Sequence, residues 1–105
     1  MNQKKKEGVD RLKKKNDRYN LHLYVTGTTP QSIRAIINLK RLCNHYLKGR
    51  YFLKIVDIYQ QPDSIHKAQI VAAPTLIKSM PPPFRRLIGD MSDEQRVLTG
   101  LGLSS

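Results

Sequence analysis

The fold becomes readable at Tyr19-Asn-Leu-His-Leu-Tyr-Val-Thr26 and the Gly27-Thr-Thr-Pro30 that follows it. Leu21, Leu23 and Val25 alternate with His22, Tyr24 and Thr26, the period-two pattern of a strand with one buried face. Gly27 breaks that strand, Thr29 can cap a helix, and Pro30 suits its first position. Ile33, Ile36, Ile37, Cys43, Tyr46 and Leu47 then recur near a 3.6-residue period. This predicts a helix carrying them on its apolar side and ending at Gly49. Tyr51-Phe-Leu-Lys-Ile-Val-Asp-Ile58 is apolar at nearly every position, as expected of a parallel strand buried on both faces. Strand, helix and strand make a right-handed crossover unit.

Downstream, Pro62-Asp63 opens a shorter helical stretch through Ile65, Ala68 and Val71. Pro74 stops it, because the residue before a proline avoids helical angles. Thr75–Ser79 reads as a short strand. Met80-Pro-Pro-Pro83 lacks three ladder donors and cannot be a central strand, so Phe84–Ile88 reads as an edge. Ser92-Asp-Glu-Gln95 has the form of a capping box. Its helix runs to about Thr99, with Gly100 as the expected stop. The order is βαβαββα, with an Ala73-Pro74-Thr75 turn before the third strand. That is the plan of an α/β thioredoxin-like domain over residues 19–105, and it implies a cis peptide before Pro74.

The chain has 105 residues, with 19 Lys+Arg against 8 Asp+Glu and a formal charge of +11. That length suits one domain. Residues 1–18 hold eight basic and three acidic side chains but only Met1, Val9 and Leu12 as apolar ones, too few to offset the entropy of ordering. They are expected to form a flexible basic arm. A solvated tail is preferred to a nucleic-acid arm, because no aromatic ring interleaves the lysines as a stacking platform requires. No apolar run approaches the roughly 20 residues of a membrane span. MNQKKKEG is followed by no apolar segment, so neither a secretory signal nor a membrane partner is expected. A single cysteine, Cys43, fits a reducing cytoplasm.

Catalytic chemistry finds no footing. A redox thioredoxin needs a thiol pair at the start of its first helix, and Gly27-Thr-Thr-Pro-Gln-Ser32 has none. Cys43 falls on the apolar side of that helix and reads as core. His22, His45 and His66 fall on separate elements without metal-ligand spacing, and no Gly-rich phosphate loop occurs. Asp57, Asp90 and Asp93 read as turn and cap carboxylates. No enzyme activity, metal or cofactor is expected. What remains is a dispersed basic set of Arg34, Lys40, Arg41, Lys54, Lys78, Arg85 and Arg86, beside the rigid apolar Met80–Phe84 segment. Such a set is either a solvated surface or a patch that steers an acidic partner.

Tyr19 to Pro30, Ser32-Ile-Arg-Ala, Leu53-Lys-Ile-Val-Asp, Ala73-Pro-Thr-Leu-Ile-Lys and Pro82-Pro-Phe-Arg-Arg-Leu-Ile-Gly-Asp, in this order and spacing, resemble the KaiB family of circadian clock proteins. The resemblance runs from Tyr19 to Leu103. It implies a non-catalytic regulator that docks on a KaiC-like RecA-type ATPase, with a KaiA-like protein or a sensor histidine kinase as further partners. It also implies two folds, a thioredoxin-like monomer and a differently folded, self-associated dimer or tetramer. The family's recurrent basic positions match Arg34, Lys54, Lys78, Arg85 and Arg86, which become the partner-binding candidates. Pro74, Ser92 and Gly100 are the structural ones. The caps around residues 92–100 favour the thioredoxin-like form. Three features depart from the family pattern: Ser64-Ile-His-Lys-Ala68 where an acidic cluster is usual, the Gly100-Leu-Gly-Leu103 ending, and the longer basic start. With +11 and that arm, a small nucleic-acid-binding protein is the alternative.

Overall fold

A computed structural model describes residues 18–60 and 73–103. The arm before Arg18, the helix expected from Pro62 to Val71 and His66 lie outside the described residues.

Strand β1 (Tyr19–Val25) leads into helix α1 (Pro30–Tyr46) and strand β2 (Tyr51–Asp57). Strands β3 (Thr75–Met80) and β4 (Arg85–Ile88) and helix α2 (Glu94–Leu101) follow. The sheet order is β2-β1-β3-β4, with β1 parallel to β2 and antiparallel to β3, and β4 antiparallel to β3. The alternation in β1 does what its pattern requires. Leu21, Leu23 and Val25 join Leu39, Leu42, Leu47, Leu76, Val97 and Leu101 in the main core. Tyr24 points the other way, into a small cluster with Val56, Ile58 and Ile77.

Helix α1 begins as predicted, the Thr29 hydroxyl accepting from the Ser32 amide with Pro30 in the first turn. Its buried face keeps Cys43 and Leu47 of the predicted apolar side, with Ile36 packed against the core, but not Ile33, Ile37 or Tyr46. Ser32, Ala35, Leu39, Leu42 and Cys43 meet the sheet, while Ile33 and Ile37 are 45% and 59% exposed. Small side chains at 32 and 35 let the helix start lie close to β1. Ser32 is tolerated there because its hydroxyl accepts from the Thr26 amide at 3.1 Å. The double-sided burial expected of β2 is reached only toward its end: Phe52 is 60% exposed and Lys54 exposed, whereas Val56 on the same face is buried.

Both ends of α2 differ from expectation. Asp93, not Ser92, is the N-cap, its carboxylate accepting from the Arg96 amide at 3.2 Å. The Ser92 amide instead donates to Asp90 Oδ1, and Met91 takes a left-handed φ of 63°, so this turn uses up Ser92. At the other end Gly102, with φ 79°, replaces Gly100 as the stop. Gly102 N–H bonds the Thr99 carbonyl and Leu103 N–H the Leu98 carbonyl, the paired bonds of a Schellman motif. Gly100 is a buried helical residue whose role is close approach. A Cβ there would stand 2.6 Å from Leu87 Cδ1. Pro74 is buried with a trans bond before it, held by Thr75 Oγ1 donating to the Ala73 carbonyl, while its own carbonyl accepts from Gly89. The cis bonds are Met80–Pro81 and Pro82–Pro83.

Candidate partner-docking surface

The sheet register sorts the basic candidates onto two faces. One row across the ladders runs Lys54, His22, Ile77, Arg86. The next runs Leu53, Leu21, Lys78, Arg85. Because Leu21 faces the core beneath α1 and α2, Lys78 and Arg85 share that face, and Lys54 and Arg86 belong to the opposite one. The five candidates therefore do not form one contiguous set. Lys54, Arg85 and Arg86 are exposed and carry no ion pair among the described residues.

Arg34 and Lys78 are placed differently. Arg34 Nε donates to Asp90 Oδ2 at 3.0 Å, and Asn38 Nδ2 donates to the Asp90 carbonyl, tying α1 to the turn before α2. Bonds from Ser92 and Arg34 hold the Asp90 carboxyl below its usual range. Lys78 is 3% exposed, with Nζ 6.0 Å from the centre of the Tyr19 ring. Burial, and then the Arg85 charge, lower its pKa. The sequence carried a signal for this: Lys78 stands two residues after core Leu76, and so on the same side of β3. In the Lys54 row, His22 is half-buried, and burial followed by the Lys54 charge lowers its pKa as well.

Residues that could have carried chemistry are committed elsewhere. Thr29 Oγ1 and Ser32 Oγ bond each other at the start of α1. Asp57 Oδ1 accepts the Gly27 and Tyr59 amides. Cys43 is buried, which pushes its thiol up to about 12. Beside β3 and β4, Met80 and Phe84 are 51% and 56% exposed, so the proline segment does present apolar surface. Sequence reasoning passed over Arg96, whose Nη1 donates to the Ile88 carbonyl at 2.9 Å, and Glu94, which Tyr46 and Arg41 of α1 both approach. No local pattern announces either; both depend on how α2 packs.

With this arrangement in view, the KaiB domain family matches residues 22–103. The chain belongs to the KaiB family. It is 49% identical over 85 residues to the circadian clock oscillator protein KaiB of Prochlorococcus marinus subsp. pastoris, covering 81% of this chain and 79% of that one. It is 45% identical over 92 residues to the KaiB of a Nostoc species, covering 88% and 85%. Among solved structures, the N-terminal domain of Synechococcus elongatus SasA superposes with a TM-score of 0.65 at 21% identity, over 84% of this chain and 87% of that one. The Drosophila melanogaster thioredoxin Deadhead gives 0.66 at 12% identity, over 90% and 88%. The fold of this KaiB-family chain is thus thioredoxin-like, and the thiol pair a redox thioredoxin needs is absent from the start of α1. Among the described residues, no helix is long and apolar enough to cross a membrane.

Proposed function

We propose that this KaiB-family chain is a non-catalytic regulator that docks on a KaiC-like RecA-type ATPase and modulates its cycle. The observation that carries the reading is the exposure of Lys54, Arg85 and Arg86 on a thioredoxin-like sheet, without ion-pair partners among the described residues. Uncompensated cations at a rigid surface steer an acidic partner and raise its rate of encounter. Met80 and Phe84 add exposed apolar area beside them, and the proline-held backbone between loses little entropy on binding. Arg34 contributes through the orientation of α1 as well as through its charge, and Lys78 through the field it adds beside Arg85. A KaiA-like protein or a sensor histidine kinase is a further partner in this reading, residues 1–18 are a basic arm that precedes the domain and is tied to it by Arg18 Nη1 donating to the Gly49 carbonyl at 2.9 Å, and the setting is cytoplasmic.

Pull-down of a KaiC-like ATPase, with and without ATP, tests it. Retention in at least one nucleotide state is expected; none in any state overturns the reading. The formal charge of +11 favours one competitor, a nucleic-acid-binding protein. A salt series on duplex DNA separates the two, since contact with six or more phosphates loses roughly three decades of affinity between low and moderate salt.

A further inference from the structure

An open cleft of about 500 Å3 lies between β4 and α2. Its floor is apolar, formed by Leu87 where it meets Gly100; the missing Cβ at 100 is what lets Leu87 lie down against the helix. Its rim is polar, with Arg85 from β4 and Asp93, Gln95, Arg96 and Thr99 from the α2 side. Clefts of this size are those that take small molecules.

The two guanidinium groups are oriented but not neutralised. Arg96 Nη1 is fixed by the Ile88 carbonyl at 2.9 Å, and Arg85 Nη1 lies 3.4 Å from the Phe84 carbonyl. Neither arginine is ion-paired among the described residues. Asp93 spends one carboxylate oxygen on the Arg96 amide as the helix cap. Two cations against one carboxylate leave the lining with a single excess positive charge. Lys78, opposite Arg85 on the ladder, adds to the field from behind.

We propose that this cleft binds a small monocarboxylate with an apolar body, its carboxylate held by Arg96 within the positive field of Arg85 and its hydrocarbon part resting on Leu87 and Gly100. Guanidinium forks match a planar carboxylate in shape and charge. One excess charge suits a monoanion, whereas a second negative charge would meet Asp93. The apolar floor rewards a ligand that covers it, which an inorganic anion cannot do. The site shares Arg85 with the docking surface but stands independently of any ATPase.

The test is an NMR titration of the full-length, 15N-labelled protein with benzoate, its neutral isostere benzamide, and inorganic phosphate. Benzoate is expected to shift amides at residues 85–88 and 93–100 saturably. Benzamide and phosphate should bind at least tenfold more weakly. Arg96→Gln should weaken benzoate at least fivefold. Thr99→Leu should do the same by filling the cleft from an exposed helix position without removing a charge, so it decides the matter if Arg96→Gln loosens α2. Shifts that fail to saturate, or that scatter over the basic surface, overturn the site. Equal binding of benzamide, equal binding of phosphate (an adventitious ion only), or benzoate binding untouched by Thr99→Leu also overturns it.

Discussion

The two faces of the sheet are built for different tasks. Beneath α1 and α2, Leu21, Leu23, Leu39, Leu47 and Leu76 are sealed from solvent, together with Val97 and Leu101 from the chain end. On the other face the described residues bury Tyr24, Val56, Ile58 and Ile77 together, and the row that contains Ile77 also holds Lys54, His22 and Arg86. Among the described residues the first face concentrates the apolar area. The second spends much of its area on charge, which contributes little to stability but a great deal to encounter with a partner. Substitutions on the two faces should therefore separate folding from association.

The largest separation should come from truncation. Leu39→Ala is expected to cost about 2–5 kcal/mol in urea unfolding, the range for leucines in a closed core. Ile77→Ala, in the smaller described cluster and less completely sealed than Leu39, should cost less; equal losses would show that both clusters hold the fold equally. Gly100→Ala tests the α2 contact. Alanine improves helix propensity by about 1 kcal/mol, but forcing Leu87 aside costs typically 1–3 kcal/mol, so a net loss is expected. Adding Leu87→Ala should make the glycine replacement far less costly, and a double-mutant cycle without coupling would remove the close-approach account. Asp93→Ala should cost about 1 kcal/mol as a lost cap, against a few tenths for Ser92→Ala. The reverse ranking would return the cap to Ser92.

Smaller still in stability is the charged row. Lys54→Glu with Arg86→Glu should change unfolding by no more than about 0.5 kcal/mol while slowing association with the ATPase. A domain that unfolds yet still binds would place these side chains with the fold. The finest probe is pH. Burial and the Lys54 charge lower the His22 pKa from 6.5, so the unfolded chain takes up a proton more readily than the folded one. That contribution is complete above pH 6.5 and is lost as the pH falls through the folded value, so stability should rise with pH across that window. His22→Gln should flatten this part of the profile, read from urea midpoints at successive pH values; an unchanged profile would mean that another group is responsible.

Most of the fold was legible because its signals are local. Alternation in β1, the Thr29–Pro30 helix start, the proline break after β3 and the placing of β4 at an edge are each set by neighbours in sequence. What failed was set by packing. Ile33 and Ile37 are as apolar as any core residue, but the face that α1 turns to the sheet carries Ser32, Ala35, Leu39, Leu42 and Cys43. The Ser92 cap failed by one position because Asp90 captures the Ser92 amide, and Gly100 was read as a stop when its absent side chain is a packing surface. The basic candidates were legible as charges but not as a geometry. Only the register shows that Lys78 and Arg85 stand opposite each other while Lys54 and Arg86 lie on the other face, and Arg96 gave no sign until α2 was docked.

The two arginine bonds at β4 have a consequence for self-assembly. Sheets invite growth at their margins, where peptide groups without a neighbouring strand can template a further one. On β4 the Ile88 carbonyl is taken by Arg96, and the Phe84 carbonyl just before the strand lies within reach of Arg85. An incoming strand would have to dislodge both guanidinium groups and then lie along four residues, two of them charged. This margin resists fibril-like stacking through side chains that also shape the cleft, so neutralising Arg85 and Arg96 together should raise the aggregation rate more than the loss of net charge alone accounts for.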